Sequence, residues 1–330
     1  MVRYDLAVLG AGVAGLAAGM YAARLNLKTV VLGRAGEGSA ALDLGGTITL
    51  TDVVENYPGF IKLTGQELAE KLLEHVRSYP QVEIRTDWVQ SLDRDKQCFF
   101  LHTDKEVLQA STVLFATGTK HRELQVPGHD EFRNKGVHYC ALCDGPLYRG
   151  KSVAVVGGSD SAAKEALVLA EHAERVYLIA RGKELRAEPI NRSRVMAHPR
   201  ITLLPATNVT AVLGEKKVTK VTLDVPFQGS SELPLNGIFV AIGVIPQSEL
   251  ARTLGVTVNT KGEILLDRNS RTNVPGVYAA GDVGDRTFKQ AITGVAEGVL
   301  AAYSAFEDLH GDVVCACSDD EDHPAHHLPS

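Results

Sequence analysis

One local pattern occurs twice in this chain and limits the fold more than any other feature. Residues 5–9 form a short apolar run, followed by Gly10-Ala11-Gly12-Val13-Ala14-Gly15 and a helix-compatible stretch to about Leu25. Ser152 to Val156, then Gly157-Gly158-Ser159-Asp160-Ser161-Ala162, then Ala163 to His172 repeat the plan. A strand, a glycine turn and a helix in this order let the backbone approach a pyrophosphate seated on the helix N-terminus. The first copy keeps the full G-x-G-x-x-G spacing, whereas Ser159 replaces the second glycine in the second copy. Thr29 to Leu32 and Arg175 to Ile179 supply the next strand of each copy. Two such units in 330 residues predict an α/β chain with two Rossmann-like, three-layer ββα domains. Two nucleotide sites imply electron transfer between their occupants.

Between the two copies stands Cys140-Ala141-Leu142-Cys143-Asp144-Gly145. Thiols one helical turn apart can close a disulfide, and a helix starting there would lower one thiol's pKa through its N-terminal dipole. Asp144 could then carry the proton that thiol–disulfide chemistry must move. The rest of the composition is an ordinary globular balance, and the cytoplasm is the expected location. A net charge of −6 argues against nucleic acid or an anionic membrane as partner. No apolar run approaches the ~20 residues that span a bilayer, and the N-terminus enters its first strand without a signal-peptide layout. Five cysteines in such a chain do not form a disulfide framework. Cys98, inside the apolar run Gln97-Cys98-Phe99-Phe100-Leu101, is expected to be a buried small hydrophobe.

Other segments fall around these anchors. Gly45-Gly46 and Glu55-Asn56-Tyr57-Pro58-Gly59-Phe60 precede an amphipathic helix from Gly65 to about Ser78. Val82 to Leu92 and Gln97 to His102 are expected strands, and Val113 to Gly118 is a strand ending in the small residues Ala116-Thr117-Gly118. Strand segments at about 201–225 and 238–242 follow the second copy. Val277 to Asp282 is a buried strand ending in an acid that can accept hydroxyls of a sugar-like chain. Lys289-Gln290-Ala291 opens a helix to about Leu309, whose N-terminus can stabilise negative charge on a reduced isoalloxazine.

Over roughly residues 4–310 the chain resembles the low-molecular-weight thioredoxin reductases, FAD-dependent pyridine nucleotide–disulfide oxidoreductases. Gly10–Gly15, Glu55–Phe60, Ala116–Gly118, Gly136–Gly145, Gly157–Ala162, Ala279–Asp282 and Lys289–Ala291 carry the resemblance. It implies a discontinuous FAD domain over 1–118 and 248–310. A nicotinamide-binding domain over 119–247 is inserted in it and carries the Cys pair, and 311–330 is left as a disordered tail. It implies FAD contacts from Gly10, Gly12, Ala14, Gly15, Gly45, Gly46, Asn56, Thr117, Gly118, Gly281, Asp282, Lys289, Gln290 and Ala291. For NADPH it implies Gly157, Gly158, Ser159, Ser161, Arg181 and Arg186. By match of position Cys143 faces the flavin, Cys140 attacks the thioredoxin disulfide and Asp144 carries the proton. The resemblance also implies a homodimer and an inserted domain that rotates between steps.

The chain departs from that pattern at the second site. The family's His-Arg-Arg after the strand is here Ala180-Arg181-Gly182, with Arg186 further on. Two of the cationic positions survive, so NADPH binding is expected to be weakened. NADPH is the expected donor, with NADH and reduced ferredoxin as alternatives. Thioredoxin or a similar small dithiol protein is the expected partner. A peroxiredoxin or small-molecule disulfide substrate, and a non-catalytic redox-sensing flavoprotein, are the other readings. Lys289 stands where the family has Arg, and Gly38–Leu44 looks like a small insertion. The acidic tail with Cys315, Cys317 and three histidines is expected to be a solubilising end, with a second redox pair or a metal clip as the alternative. His138 is expected to be a hydrogen-bonded structural residue.

Overall fold

Strands buried over most of their length on both faces build the centre of each sheet, as parallel strands covered by further layers require. The computed structural model describes residues 2–33, 44–51, 54–95 and 98–311. Arg34, most of the 38–44 segment and the tail with Cys315 and Cys317 lie outside the described residues. The chain divides into two compact units, one of Met1–Gly46, Lys71–Gly118 and Pro246–Ser330, the other of Thr47–Glu70 and Thr119–Ile245.

In the first unit Arg3–Leu9 lies between Thr29–Leu32 and Val107–Phe115, parallel to both. Val82–Arg85 extends the parallel order beyond Thr29–Leu32, and Val277–Ala279 pairs in parallel with the end of Val107–Phe115. The start of that same strand instead pairs antiparallel with Cys98–Thr103, which pairs in turn with Val89–Asp95. The expected strand from Val82 to Leu92 is therefore two strands in different parts of the sheet. Asp87 explains the break. Its side chain is 1% exposed and is gripped by Arg85 at 2.6 Å and Lys105 at 2.5 Å, so the chain leaves the ladder to seat it. Cys98, expected as a buried small hydrophobe, is only partly buried.

Side chains on the two faces feed separate cores. Ala7, Leu9, Val113 and Phe115 face one, and Leu6, Val8 and Leu114 face the other, where Leu16, Ala18 and Ala22 of the helix Val13–Arg24 pack. The last helix, Ala291–His310, joins that second layer at backbone contact distance: a Cβ at Gly298 would lie 2.1 Å from the Ala14 carbonyl oxygen. A buried clamp fixes its far end. Arg271 binds Asp308 through both carboxylate oxygens, with Nη2 to Oδ1 at 2.9 Å and Nε to Oδ2 at 3.0 Å. The hydroxyl of Tyr278 donates to Asp308 Oδ2 at 2.7 Å, and burial together with that carboxylate pushes the Tyr278 pKa far up.

The second unit holds a five-stranded parallel sheet in the order Ile201–Leu204, Arg175–Ile179, Ser152–Val156, Gly237–Val240, Val137–His138. Val153, Val155, Val176, Leu178 and Phe239 pack under the helix Asp160–Ala170. Ala154, Val156, Ile179, Ile238 and Val240 form the core on the other side. Val209–Gly214, Val218–Phe227 and Ser230–Pro234 form a separate antiparallel sheet and supply Val209, Val212, Val221 and Leu233 to that second core. The expected strand region at 201–225 thus splits between two sheets. The helix Pro189–Ala197, which opens on a proline, was not expected from the pattern.

Removing the buried acid of the clamp leaves Arg271 and Tyr278 without their acceptor. Asp308→Ala is expected to cost roughly 2–4 kcal/mol, read as a lower thermal midpoint; an unchanged midpoint would show that the clamp contributes nothing.

Candidate active site

Local geometry first brings the expected nucleotide residues of the first unit together. Gly10 has φ +114°, and a Cβ there would lie 2.2 Å from the carbonyl oxygen of Ala116 and 3.1 Å from the nitrogen of Thr117. A Cβ on Gly15 would lie 1.8 Å from the carbonyl oxygen of Gly10, so only glycine lets the helix begin this close to the strand. Gly45 N–H donates to Ala11 O at 2.7 Å, and a Cβ on Gly46 would meet Gly12 Cα at 2.9 Å. Gly12 is the N-cap of the first helix with no side-chain cap, which leaves the first N–H groups of that helix for an anion. Thr117 Oγ1 donates to Gln247 O at 2.6 Å, and Gln247 N–H donates to Gly118 O at 3.0 Å.

Gly281 closes on the same turn, where a Cβ would lie 3.2 Å from the Ala14 Cβ. Its N–H donates to Glu297 Oε2 at 2.8 Å. Burial pushes the Asp282 carboxyl pKa up, with Lys289 opposing, and burial likewise raises Glu297. The Lys289 ammonium is already engaged: it donates to Glu263 Oε1 at 2.6 Å and to the Asp282 carbonyl at 2.8 Å. Lys289 therefore shapes the loop before the last helix through Glu263. Gln290 caps that helix, its N–H donating to Thr293 Oγ1 at 3.1 Å, and Ala291 begins it. Asn56 is exposed and belongs to the other unit. Glu263 and Glu297 were not singled out from the sequence. Both lie far from the Gly281-Asp282 pair along the chain, so residue order carries no signal for them.

In the second unit the glycine turn repeats this construction. A Cβ on Gly157 would lie 2.3 Å from the Ala241 carbonyl oxygen. Ser159 is the N-cap of the helix Asp160–Ala170 without a side-chain cap bond, and its backbone bridges to Arg186, whose N–H donates to Gly158 O at 2.9 Å. Ser159 and Arg186 are thus neighbours, while Ser161, Arg181 and Arg186 are all exposed. Ala180 is fully buried beneath Gly158, so it presents no group to a phosphate. Asp160 lies in the first helical turn, where an anion would sit. Lys164, Asn191 and the Glu188 N–H hold its carboxyl down to about 2, so it stays ionised.

The redox pair lies in this second unit. Cys140 and Cys143 form a disulfide, with Cα atoms 5.3 Å apart. The helix expected to start there is a single turn, Ala141–Asp144, followed by a 3-10 turn over Gly145–Tyr148. A long-helix dipole is therefore absent. What bears on Cys140 is one donor, the Cys143 N–H, at 3.2 Å from its Sγ. Asp144 is buried at 6% exposure, and its Oδ2 lies 3.2 Å from His138 Nδ1. His138 Nε2 lies 2.7 Å from the Tyr148 hydroxyl. Asp144 Oδ1 is buried with no hydrogen-bond partner. Glu165, on the helix beside this turn, is half-buried with one buried, unpartnered oxygen, Oε2, and desolvation pushes its carboxyl up to about 7. Neither the Tyr148 link nor the buried Glu165 oxygen was foreseen; an acid at 165 among alanines and leucines was the available signal.

Among the described residues no group of acids, histidines and cysteines forms a metal site, and no helix is long and apolar enough to cross a membrane. The description "pyridine nucleotide-disulphide oxidoreductase" fits residues 4–298 as a family model. A thioredoxin reductase of Treponema pallidum is 38% identical over 304 residues, covering 92% of this chain and 96% of its own. The crystal structure of a Streptococcus pyogenes thioredoxin reductase matches with a TM-score of 0.83 at 33% identity, over 94% of this chain and 99% of that one. A ferredoxin–flavin thioredoxin reductase of Clostridium acetobutylicum matches with a TM-score of 0.50 at 33% identity, over 94% and 99%.

Glu165 binds a proton in the folded chain at pH values where an unfolded glutamate, at 4.5, has lost it. Stability is therefore full below 4.5 and falls as pH rises to about 7. Glu165→Gln is expected to remove roughly 1–3 kcal/mol of that loss. Thermal midpoints at several pH values check this, and an identical pH slope in both proteins would contradict it.

Proposed function

Because the chain belongs to the pyridine nucleotide-disulphide oxidoreductases and within them to the low-molecular-weight thioredoxin reductases, we propose that it reduces thioredoxin through Cys140 and Cys143. The observation that carries this reading is the Cys140–Cys143 disulfide with a buried carboxyl, Asp144, directly after it. Cys140 is the attacking sulfur: the Cys143 N–H already points at its Sγ and would stabilise a thiolate there. Cys143 then closes the disulfide and frees the second thioredoxin sulfur. Asp144 holds the proton between donor thiol and leaving sulfur.

The first unit is the FAD domain of this reading, the second its nicotinamide-binding domain, and the assembly is a homodimer. Gly10, Gly12, Gly15 and Gly46 leave a cradle of bare backbone in which a Cβ would collide with neighbouring main chain or narrow the approach. That cradle suits a pyrophosphate at the N-terminus of Val13–Arg24, and the half-buried Asp282 carboxyl suits sugar-like hydroxyls. FAD, when bound, supplies a hydride acceptor between the electron donor and the disulfide, which is itself a two-electron couple.

NADPH is the donor in this reading, held by the turn at Gly157 and Gly158, by Ser159 and Ser161, and by Arg181 and Arg186. A second reading, reduced ferredoxin as donor, is favoured by the burial of Ala180 and by Gly182, which remove two polar contacts from the 2′-phosphate position.

Two measurements test these statements. Cys143→Ser is expected to abolish thioredoxin turnover with FAD retained, and to accumulate a mixed disulfide between Cys140 and thioredoxin; normal turnover would reject the assignment. In anaerobic stopped-flow, NADPH is expected to bleach the flavin faster than NADH or reduced ferredoxin. Bleaching by ferredoxin alone would establish the second reading.

A further inference from the structure

We infer that His138 is a positioning residue that divides the labour of the two Asp144 oxygens, so that Oδ1 is the oxygen that takes the thiol proton. This rests on the thioredoxin-reducing reading of the Cys140–Cys143 pair. An ionised carboxylate only accepts hydrogen bonds. His138 Nδ1 lies 3.2 Å from Asp144 Oδ2, in ion-pair contact, and in this proposal it carries the proton that faces that oxygen. In the neutral imidazole Nε2 is then the acceptor, and the Tyr148 hydroxyl at 2.7 Å donates to it. The chain runs Tyr148 to His138 to Asp144, and it ends at an oxygen with no partner, Oδ1.

Three features make this arrangement stiff. His138, Asp144 and Tyr148 are 6%, 6% and 7% exposed, so water does not compete for their hydrogen bonds. Phe239, the register partner of His138 on the adjacent strand, stacks on its ring at 5.3 Å between centroids and meets Tyr148 edge-on at 5.5 Å. Gly237 leaves the space for Tyr148, since a Cβ there would lie 2.4 Å from the tyrosine Cε1. The bond from Nδ1 to Oδ2 survives both states of the acid, because a carboxyl protonated on Oδ1 still accepts on Oδ2. Protonation on Oδ2 would break it. His138 thus directs the proton to Oδ1 without leaving its own place.

The exchange balances as follows. Cys140 gives its thiol proton to Asp144 Oδ1, and its Sγ attacks one sulfur of the partner disulfide. That S–S bond breaks, and the leaving sulfur takes the proton from Oδ1. Cys143 then attacks Cys140 Sγ, forms the Cys140–Cys143 bond and releases the second partner sulfur, which takes the Cys143 proton by the same oxygen. Two electrons and two protons leave the enzyme dithiol and reduce one disulfide.

The test uses His138→Asn and His138→Gln in the FAD-loaded enzyme. Asparagine places an amide N–H near the position of Nδ1 and keeps the bond to Asp144; glutamine reaches toward Tyr148 and loses it. Reduced enzyme is mixed with oxidised thioredoxin and, separately, with a small aryl disulfide. His138→Gln is expected to slow both oxidations by ~10- to ~100-fold, with flavin bleaching by the donor and the thioredoxin KM unchanged. His138→Asn is expected to stay within ~3-fold of the wild type. Equal loss in both variants, or no loss in His138→Gln, would overturn the inference. A wild-type enzyme that oxidises with the aryl disulfide but not with thioredoxin would reject the thioredoxin reading alone, and the ratio between the variants would still decide the role of His138.

Discussion

Main chain lying directly on main chain is the constraint from which both nucleotide units follow. Gly10 lies under the carbonyl of Ala116, and Gly157 lies under the carbonyl of Ala241, at 2.2 and 2.3 Å for a Cβ that neither residue has. Any side chain there would push the first strand of each sheet away from the strand beside it and displace the helix that follows. The correspondence continues two residues on, where Gly118 and Gly243 both take positive φ. Each unit therefore has a bare turn at the end of one strand and a second bare turn at the end of the next. Between them lies a helix N-terminus with no side-chain cap.

The two units diverge in what surrounds that shared turn. In the first, small residues continue outward: Gly46 against Gly12, Gly281 against Ala14, Gly298 against Ala14 O. Helix-to-helix contact at this distance leaves no room for a large ligand between the helices and confines binding to the strand ends. In the second, Asp160 occupies the first helical turn as an ionised acid, and the cationic residues nearby are exposed. The first turn is closed in by backbone, whereas the second is flanked by exposed charged side chains.

The redox turn shows how little helix such chemistry needs. A single turn, Ala141–Asp144, sets the two sulfurs and the acid, and the longer-range support comes from an adjacent strand rather than from a dipole. His138 ends a two-residue edge strand, so its backbone is held by the Ile238 and Phe239 register while its ring is held by stacking. The polar chain is specified twice, by ladder and by ring packing, and both hold the carboxyl orientation.

Strands and glycine turns were legible from residue order because their signals are local. Short apolar runs such as Thr29–Leu32, followed at once by glycine, carry their own periodicity and their own steric demand. The pairing of Cys140 with Cys143 followed from spacing in the same way. The strand from Val82 to Leu92 did not hold, because the seat of Asp87 depends on Lys105, far along the chain. Lys289 could be placed near Asp282 by order alone, but its partner Glu263 comes from a distant segment. The sequence by itself determined two nucleotide-type turns, a dithiol motif and an acid beside it, since each is fixed by neighbours within a few residues. Only the tertiary structure decided which oxygen of Asp144 is free, that one Glu165 oxygen is shut off from water and that Tyr148 reaches His138, because burial and hydrogen-bond partners are set by residues that meet only when the sheets close.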